Sequence, residues 1–430
     1  MTAASRIRGA APDDEIIVLE AGRFTSYSAC GIPFVVGGVV TGGVEALIAR
    51  SPEEHRRRGI DVRIHHEAMA IDTGAGDVEV LDEGAGRTFR LGYDQLLVAT
   101  GGAPIRPDLP GINLPFVRGV QSLQDAEVLL GLAEQGCHRV VVVGGGYIGL
   151  ELAESFIERG CTATIVERQA QPLGMIDADF GQRVAAALVG HGVEFRGKVD
   201  VEGFEPGQVI TSEGPLEADL VVLGIGVRPR SELAAAAGIE IGVADAITVD
   251  DRQATSVDGV WSAGDCAAST HLVTGQPVYI ALGTYANRHG RVAGLNMAGG
   301  ELRSPPVLGT AITKLCQLGI AITGLTERAA VDAGLDAFSA TIDTTTKAGY
   351  FSDAEAVTVR LTAERDTGRL LGAQIIGADS AAKRIDTVAT AITAGMTVAQ
   401  VADLDLAYAP PFSSVWDPVA VAAREAIKLV

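Results

Sequence analysis

A glycine-rich loop between a buried strand and a helix constrains the fold more than any other segment of this sequence. The apolar run 139–143 (RVVVV) leads directly into the loop 144–149 (GGGYIG), and a helical pattern follows over 150–156. A second β-rich run, 162–167, ends in the acid Glu167. This order of strand, G-x-G-x-x-G loop, helix, strand and acid is typical of the dinucleotide-binding βαβ unit, whose helix N-terminus faces a pyrophosphate. The sequence therefore predicts a parallel α/β sheet that binds a dinucleotide at this loop.

The residues of the loop have separate predicted tasks. Gly144 permits a tight turn, Gly146 lets the pyrophosphate approach the backbone, and Gly149 lets the helix pack on the strand. Tyr147 and Ile148 lie between these glycines and are further predicted cofactor contacts. A Gly-rich turn without a ligand is the competing interpretation, and the strands, helix and acid around the loop disfavour it.

The acid at the end of the second strand bears on which dinucleotide binds. We expect the Glu167 carboxylate to accept hydrogen bonds from ribose hydroxyls, which favours NADH. Arg168 follows it directly and could pair with a 2′-phosphate, so NADPH stays open as the alternative.

An incomplete copy of the same unit lies near the amino terminus. The run 15–20 (EIIVLE) looks like its second strand, with Glu20 in the place of the acid. Gly144 precedes Glu167 by 23 positions, and the same offset from Glu20 falls before Met1. We therefore expect the first strand and glycine loop to be missing from the sequence as given, with residues 2–8 as the rest of the first helix. A start codon assigned too late explains this better than a deletion, because the innermost strand of a doubly wound sheet is hard to remove without losing the fold.

A single cysteine, Cys30, lies in the Gly/Pro-shaped turn 26–33 (SYSACGIP), ten residues after Glu20. The next five residues contain no cysteine, so the Cys-x4-Cys pair of a two-thiol disulfide reductase is absent. A lone thiol of this kind works through a mixed disulfide, a persulfide or a sulfenic acid. The other cysteines have neither disulfide nor metal-ligand spacing, so we predict that they only pack and predict no metal site; they are Cys137, Cys161, Cys266 and Cys316.

Composition limits the partners and the location of the protein. A length of 430 residues suggests about three domains. The net charge of −20 argues against nucleic acid and anionic membranes as partners. No apolar run approaches the ~18 residues of a membrane span, and the first residues have no signal-peptide core, so we expect a cytoplasmic protein. Within this acidic chain the triplet 56–58 (RRR) is unusual, and Arg57 is a candidate contact for a phosphorylated ligand.

Three more segments are similar to parts of flavin-dependent reductases. The run 255–265 (TSVDGVWSAGD) resembles the T-x4-h-h-x-A-G-D segment of FAD-dependent reductases, whose aspartate, here Asp265, holds the ribityl chain. The runs 97–102 (LVATGG) and 223–229 (LGIGVRP) resemble the strand-to-turn segments that close the FAD and NAD domains of that class. Cofactor contacts implied by these and by the following ALGT segment are Thr100, Gly101, Gly226 and Ala281.

Over essentially its whole length the chain resembles the pyridine nucleotide-disulfide oxidoreductases. The segments 26–33 and 405–414 (DLAYAPPFSS) are most similar to the single-cysteine branch that contains coenzyme A disulfide reductase, NADH oxidase and NADH peroxidase. This resemblance implies an α/β fold with two Rossmann-like nucleotide-binding domains, for FAD and NAD(P), and a C-terminal α+β dimerisation domain in a homodimer. The expected boundaries are 1–104 and 236–303 for the FAD domain, 105–235 for the NAD(P) domain and 304–430 for dimerisation.

The same resemblance implies roles for individual residues. Cys30 is expected to be the redox-active thiol beside the flavin, and Ser26 and Arg6 match positions that contact coenzyme A. Tyr350 and Tyr408 match tyrosines that reach across the dimer to the partner subunit's thiol and substrate.

Two positions depart from the pattern of coenzyme A disulfide reductases. Ala29 stands where many members have Asn, and Trp416 stands where some have a substrate-contacting Lys. The last histidine is His289, so the His–Glu acid–base pair of two-thiol enzymes is absent, and Tyr408 is the predicted proton donor in its place.

Three functions fit this sequence. The leading one is a homodimeric, FAD-dependent NAD(P)H:coenzyme A disulfide reductase that works through a mixed disulfide on Cys30. Reduction of persulfide, polysulfide, peroxide or oxygen by the same cysteine is the neighbouring alternative. A non-catalytic dinucleotide-binding protein without flavin is the alternative from a different class.

Overall fold

The first part of the chain folds around a short parallel sheet and an antiparallel meander. The computed structural model describes residues 1–430, and its regular elements up to residue 104 are α1 (Thr2–Ala10), β1 (Ile17–Glu20), α2 (Ile32–Val36), α3 (Pro52–Arg56), β2 (Asp61–Ile64), β3 (His66–Asp72), β4 (Asp77–Asp82), β5 (Arg87–Gly92), β6 (Leu96–Val98) and β7 (Gly102–Pro104). β1 pairs only with β2, in parallel, with Glu20 opposite Ile64. β3, β4 and β5 form the meander, and β7 leads into the next unit.

The glycine-rich loop lies in the second unit, where the predicted βαβ order is confirmed. The elements of this unit are β8 (Val117–Gly119), α4 (Leu123–Glu134), β9 (Arg139–Val143), α5 (Tyr147–Glu158), β10 (Thr162–Glu167), α6 (Ala178–Gly190), β11 (Glu194–Gly197), β12 (Val201–Glu205), β13 (Gln208–Thr211), β14 (Gly214–Glu217), β15 (Leu220–Leu223) and β16 (Val227–Pro229). Five parallel strands run in the order β11-β10-β9-β15-β8. The continuous apolar runs of β9 and β15 suit strands that are covered by helices on both faces.

The chain then returns to the first unit through α7 (Glu232–Ala236), β17 (Val260–Ser262), β18 (Ser269–Thr270), β19 (Pro277–Val278) and α8 (Gly283–Met297). β17 pairs in parallel with β6, so the first unit has two separate two-stranded parallel sheets where the second has one sheet of five strands. The predicted helix over residues 2–8 is confirmed as α1, which packs closely on α8. A Cβ at Gly294 would lie 2.5 Å from the carbonyl oxygen of Ala3, so this helix contact requires a glycine.

A five-stranded antiparallel sheet with helices forms the C-terminal unit, as predicted. Its elements are β20 (Ala311–Leu315), β21 (Leu318–Gly324), α9 (Glu327–Asp332), β22 (Ala337–Thr345), β23 (Ala356–Glu364), β24 (Leu370–Ala378), α10 (Asp379–Ala382), α11 (Ile385–Thr393), α12 (Val398–Ala402) and α13 (Pro418–Ile427). The strand order is β20-β21-β24-β23-β22, and β24 is buried at all nine positions. Neighbouring residues of β24 serve different cores: Ile375 packs with the helices of its own unit and Ile376 with the second unit.

The largest hydrophobic core crosses the boundaries between the units. It contains 30 buried residues, among them Ile32 of α2, Phe156 of α5 and Leu315 of β20. The turn that contains Cys30 is therefore anchored to the dinucleotide-binding unit and the C-terminal sheet by one continuous core. None of the helices combines the length and the apolar composition needed to cross a lipid bilayer.

Candidate active site

Cys30 lies in a short 3₁₀ turn, 29–31, directly before α2, and its side chain is exposed. On its amino-terminal side the chain is held by backbone hydrogen bonds: Ser28 N–H donates to Leu47 O (2.9 Å) and Ala49 N–H to Ser26 O (2.8 Å). On the other side, a Cβ at Gly31 would lie 2.3 Å from a methyl carbon of Leu47, so any side chain after the cysteine would require Leu47 to move. These contacts fix the thiol on an ordered turn.

The helix that follows Cys30 is held by the helix that follows the glycine-rich loop. Ser155 Oγ of α5 donates to Pro33 O (2.7 Å), and Arg159 Nε donates to Val36 O (2.6 Å). These bonds satisfy carbonyl groups of the short helix α2, which has little stability of its own. Helix α5 therefore connects the Cys30 turn to the glycine-rich loop.

The charges near Cys30 oppose its ionisation. Desolvation by the surrounding protein raises the pKa of the Cys30 thiol, and the negative charges of Glu151 and Asp265 raise it further. Burial also raises the pKa of the Glu151 carboxyl, although a 2.6 Å hydrogen bond from Thr313 Oγ1 opposes that effect. A thiolate at Cys30 therefore needs stabilisation beyond what these side chains supply.

Glu151 is a site residue that the sequence reasoning missed. It lies on α5, and its neighbours Leu150 and Leu152 are fully buried. An acid between buried leucines, one turn into a helix that follows a nucleotide loop, was the available signal in the sequence.

The glycine-rich loop fits a dinucleotide. Gly144 has φ +101°, and a Cβ there would lie 2.7 Å from Gly224 O. A Cβ at Gly149 would lie 2.6 Å from Gly144 O, so the turn and the first turn of α5 both require glycine. Gly146 is the N-cap of α5, where free N–H groups and the helix dipole favour a phosphate.

The two residues that bear on the choice of dinucleotide differ in their contacts. Glu167 Oε2 accepts from Gly145 N–H (2.6 Å) and Oε1 accepts from Gln169 N–H (2.7 Å), which holds the carboxylate beside the loop. Arg168 is exposed and forms no side-chain hydrogen bond or ion pair. The preference for NADH and the option of NADPH both stay predictions.

Tyr147 contributes a buried hydroxyl that has no hydrogen-bond partner. Burial and the nearby Glu151 raise the pKa of this phenol to about 12, so it is a donor at neutral pH. Ile148 beside it is partly exposed. A buried donor without a partner suits a position where a bound cofactor supplies the acceptor.

The carboxylates predicted to contact a flavin have few hydrogen-bond partners within the protein. Burial raises the pKa values of both Glu20 and Asp265. The Glu20 carboxylate accepts one hydrogen bond, from Gly22 N–H (2.7 Å), whereas the Asp265 carboxylate accepts none. The hydroxyl of Tyr279, which lies near Asp265, is also buried without a hydrogen-bond partner. Unpaired, desolvated carboxylates of this kind fit the ribose and ribityl hydroxyls of FAD.

The remaining predicted cofactor contacts lie at turns. Thr100 Oγ1 donates to Arg230 O, and Gly101 has φ +71°, while Gly226, with φ +101°, accepts a bond from Ile105 N–H. Ala281 lies two residues before the start of α8, which has 15 residues and whose N-terminus is available to a ligand.

A group of unpaired arginines lies around α3, next to the Cys30 turn. Ser26, with φ +50°, shares a 2.8 Å hydrogen bond with Nε2 of His55, a buried residue of α3. Burial, then the positive charges of Arg50 and Arg58, lower the pKa of His55. Arg57 is near Glu54 on the same helix. We call Arg50, Arg57 and Arg58 the basic cluster.

Arg6, the other predicted substrate contact, is an exposed residue of α1 without a side-chain partner. Its neighbour Arg8 donates to Gly59 O (2.7 Å), which brings α1 beside the end of the arginine triplet. Arg6 is two residues from Arg8 and therefore lies on a different face of α1, so the contact of Arg8 does not bring Arg6 to the arginine triplet.

The predicted catalytic tyrosines lie on adjoining loops of the C-terminal unit. Ala348 N–H donates to Pro410 O (3.3 Å), which joins the loop of Tyr350 to that of Tyr408. Tyr350 is 77% exposed and Tyr408 49% exposed, and neither forms a hydrogen bond to Cys30 of its own chain. Action across a dimer stays a prediction for both.

Arg384 fastens these loops and is a second residue that the sequence reasoning missed in this role. Its guanidinium donates to Asp417 Oδ2 (2.9 Å), Thr346 O (3.0 Å) and Phe412 O (2.9 Å). The Arg384 and Asp417 side chains are only 16% and 15% exposed. The partners of Arg384 are 28 to 38 positions away in the sequence, so no local pattern indicates this role.

The chain is similar to known proteins over nearly its whole length. The family model described as pyridine nucleotide-disulphide oxidoreductase matches residues 1–290, and its dimerisation-domain model matches residues 310–420. A CoA-dependent NAD(P)H sulfur oxidoreductase of Pyrococcus furiosus is 38% identical over 99% of this chain and 96% of its own. The structure of an NAD-dependent persulfide reductase from A. fulgidus is similar, with a TM-score of 0.96, 36% identity and coverage of 99% of this chain and 81% of that chain. The reduced Bacillus anthracis CoADR-RHD also has a TM-score of 0.96, with 31% identity and coverage of 100% and 78%.

Proposed function

The chain belongs to the pyridine nucleotide-disulphide oxidoreductases, NAD(P)H-dependent flavin enzymes, and from this premise we propose that it reduces sulfur bound to coenzyme A. The leading substrate is coenzyme A disulfide. The observation that carries the proposal is an exposed, solitary thiol, Cys30, on an ordered turn beside the basic cluster.

The sulfur chemistry is carried by Cys30. Its thiolate attacks one sulfur of the incoming disulfide, the S–S bond breaks, and one thiol leaves after taking a proton. The product is a mixed disulfide between Cys30 and the second coenzyme A. Glu20 and Asp265 would hold FAD, which would supply the two electrons of NAD(P)H for cleavage of this mixed disulfide. The net reaction consumes one NAD(P)H and one proton and yields two thiols.

The other site residues bind the cofactors and supply the proton. The glycine loop and Glu167 hold the dinucleotide, while Glu20 and Asp265 accept from hydroxyls of the flavin. Tyr408 of the opposite subunit donates the proton to the leaving thiolate.

The basic cluster gives the preference for coenzyme A. Guanidinium groups pair well with phosphate, and coenzyme A has three phosphates, whereas most biological disulfides have none. In a chain with a net charge of −20, a group of unpaired arginines beside the reactive turn supplies local positive charge for such an anion.

A second candidate substrate is coenzyme A persulfide or polysulfide. The relatives from Pyrococcus furiosus and A. fulgidus favour it through their own names, as a CoA-dependent sulfur oxidoreductase and a persulfide reductase. The same residues serve both reactions, because Cys30 attacks a sulfur–sulfur bond in each case.

The test begins with the mass of the purified protein. Native mass spectrometry is expected to show FAD, and denaturing mass spectrometry a coenzyme A adduct on Cys30. NADH oxidation under anaerobic conditions is then measured with coenzyme A disulfide and with coenzyme A persulfide, and the ratio of kcat/KM values identifies the acceptor. Cys30→Ser should retain FAD and lose both activities, with Cys137→Ser as the matched control. Undiminished reduction by Cys30→Ser, or protein without flavin, contradicts the proposal.

Phosphate recognition has its own substrate control. Arg57→Ala should raise KM for coenzyme A disulfide about tenfold, the cost of one charge-assisted pair of about 1.4 kcal/mol. KM for pantethine, the disulfide of the same arm without the nucleotide, should stay unchanged. An equal rise in both KM values would show that Arg57 acts on the fold of the turn.

A further inference from the structure

Three potential metal ligands from three distant segments converge on one side of α5. Glu154, His191 and Cys316 each offer one ligand atom, and these atoms all lie within 4.8 Å of one another. Glu158, one turn after Glu154 on the same helix, places Oε1 3.0 Å from His191 Nε2. The group thus offers one sulfur, one imidazole nitrogen and two carboxylates. We call these four residues the interunit cluster.

The four residues come from three structural elements. Glu154 and Glu158 lie on one face of α5, because residues four apart share a helix face. His191 is the C-cap of α6. Cys316 lies in the two-residue turn between β20 and β21, at φ +55°, and its N–H donates to Glu154 Oε1 (2.9 Å). The cluster therefore lies where the dinucleotide-binding unit meets the C-terminal sheet.

The polar atoms of the cluster are incompletely paired. His191 Nε2 is buried and forms no hydrogen bond of acceptable geometry, although the Glu158 carboxylate is close to it. The nearest lysine, Lys314, is bound 3.0 Å away to Asp379. Because His191 Nε2 lies among carboxylates and a thiol without a well-aligned hydrogen bond, a cation bound between these groups would give each of them a partner.

The ligand chemistry matches zinc. Zn²⁺ accepts thiolate, imidazole and carboxylate together in tetrahedral sites, with bonds of about 2.0 to 2.3 Å, so its ligand atoms lie about 3 to 4 Å apart. The ligand atoms of Glu154, His191 and Cys316 lie within 4.8 Å of one another, so binding an ion requires them to move closer together. Mg²⁺ and Ca²⁺ prefer sites made only of oxygen, which Cys316 and His191 disfavour.

We propose that the interunit cluster binds one Zn²⁺ through Cys316, His191 and Glu154, and that the Glu158 carboxylate, 3.0 Å from His191 Nε2, moves in as the fourth ligand. Cys316 gives up its thiol proton to solvent as the Zn–S bond forms, and no redox change is involved. The ion has a structural role, because side chains occupy all four of its coordination positions. It ties the β20–β21 turn to α5, the helix that also holds α2 behind Cys30.

The first measurement is zinc content in a Cys30→Ser background, which removes the exposed thiol as a competing ligand. Protein is incubated with ZnCl₂, dialysed, and analysed by inductively coupled plasma mass spectrometry. We expect about one zinc per chain, and a loss of at least tenfold in affinity on adding Cys316→Ser or His191→Gln. Cys137→Ser, another half-buried thiol of the same region, should keep full zinc content.

The second measurement identifies the ligands, and it still tests the proposal if one of the variants folds poorly. Co²⁺ in place of zinc should give tetrahedral absorption bands to the red of flavin and a sulfur-to-cobalt band that Cys316→Ser removes. Zn²⁺ should raise the melting temperature of the Cys30→Ser protein but not of its Glu154→Gln derivative, which conserves shape and flavin content. Zinc that is absent after dialysis, or retained equally by Cys316→Ser, overturns the proposal. Neither measurement depends on the electron acceptor.

Discussion

Removing the Arg384 side chain should loosen the two tyrosine loops without unfolding the protein. The guanidinium makes three hydrogen bonds, one of them to the buried carboxylate of Asp417. Breaking a buried ion pair from one side costs about 3 to 5 kcal/mol. Asp417 keeps its N-cap bond from Val419 N–H (2.9 Å), so we expect the lower value, about 3 kcal/mol, for Arg384→Ala.

That free energy predicts a local effect on hydrogen exchange. Since every 1.4 kcal/mol is a factor of ten, amides in 346–351 and 408–417 that exchange by local opening should do so about 100-fold faster. Hydrogen-exchange mass spectrometry resolves these peptides. Lys383→Ala is the matched control, because its side chain is 73% exposed and its surface pair with Asp386 contributes about 0.5 kcal/mol or less.

The outcome separates a local clamp from a general stabiliser. Arg384→Lys should give an intermediate rate, because lysine retains the charge but not the three-way donor geometry. Exchange in Arg384→Ala equal to that in Lys383→Ala would refute the reasoning. A uniform rise over the whole chain would refute it as well.

Three other perturbations test the site. Glu167→Ala should raise KM for NADH about tenfold, and that for NADPH less, because the lost carboxylate pairs with ribose hydroxyls; equal effects in steady-state kinetics would show a solvated strand end. Mixing inactive Cys30→Ser subunits with inactive Tyr408→Phe subunits should restore activity, since one site of each heterodimer then holds both groups; exchange of subunits without activity would mean that the tyrosine acts in cis or not at all. Glu151→Gln should shift the pH profile of Cys30 alkylation to lower pH, because a removed negative charge lowers the raised pKa of the thiol; an unchanged profile would exclude that charge as a cause.

Much of the fold could be predicted because its signals are local. The glycine loop, the strands on either side of it and the helix over residues 2–8 follow from backbone conformations that the residues themselves favour. The solitary Cys30 was also visible, since the absence of a second thiol is a property of spacing. Its role and those of the predicted contact residues stay predictions.

The pairing of the strands in the first unit was harder to predict from the sequence. The run 15–20 predicted one further strand of a doubly wound sheet, and the structure has β1 paired only with β2 and β17 only with β6. Strand pairing joins segments that are far apart in the chain, so a local sequence pattern does not show which strands pair.

What the sequence by itself determined is the glycine-loop βαβ unit, the second strand of a similar unit near the amino terminus and the solitary position of Cys30. Only the tertiary structure decided which distant side chains share an environment. The charge of Glu151 raises the pKa of Cys30, and the Cys316 N–H donates to Glu154 across 162 positions of sequence. A periodic pattern records which face of an element is buried, but not which other element covers it. Side-chain partners are set when the units dock through a shared core, and their charges and pKa values follow from that docking.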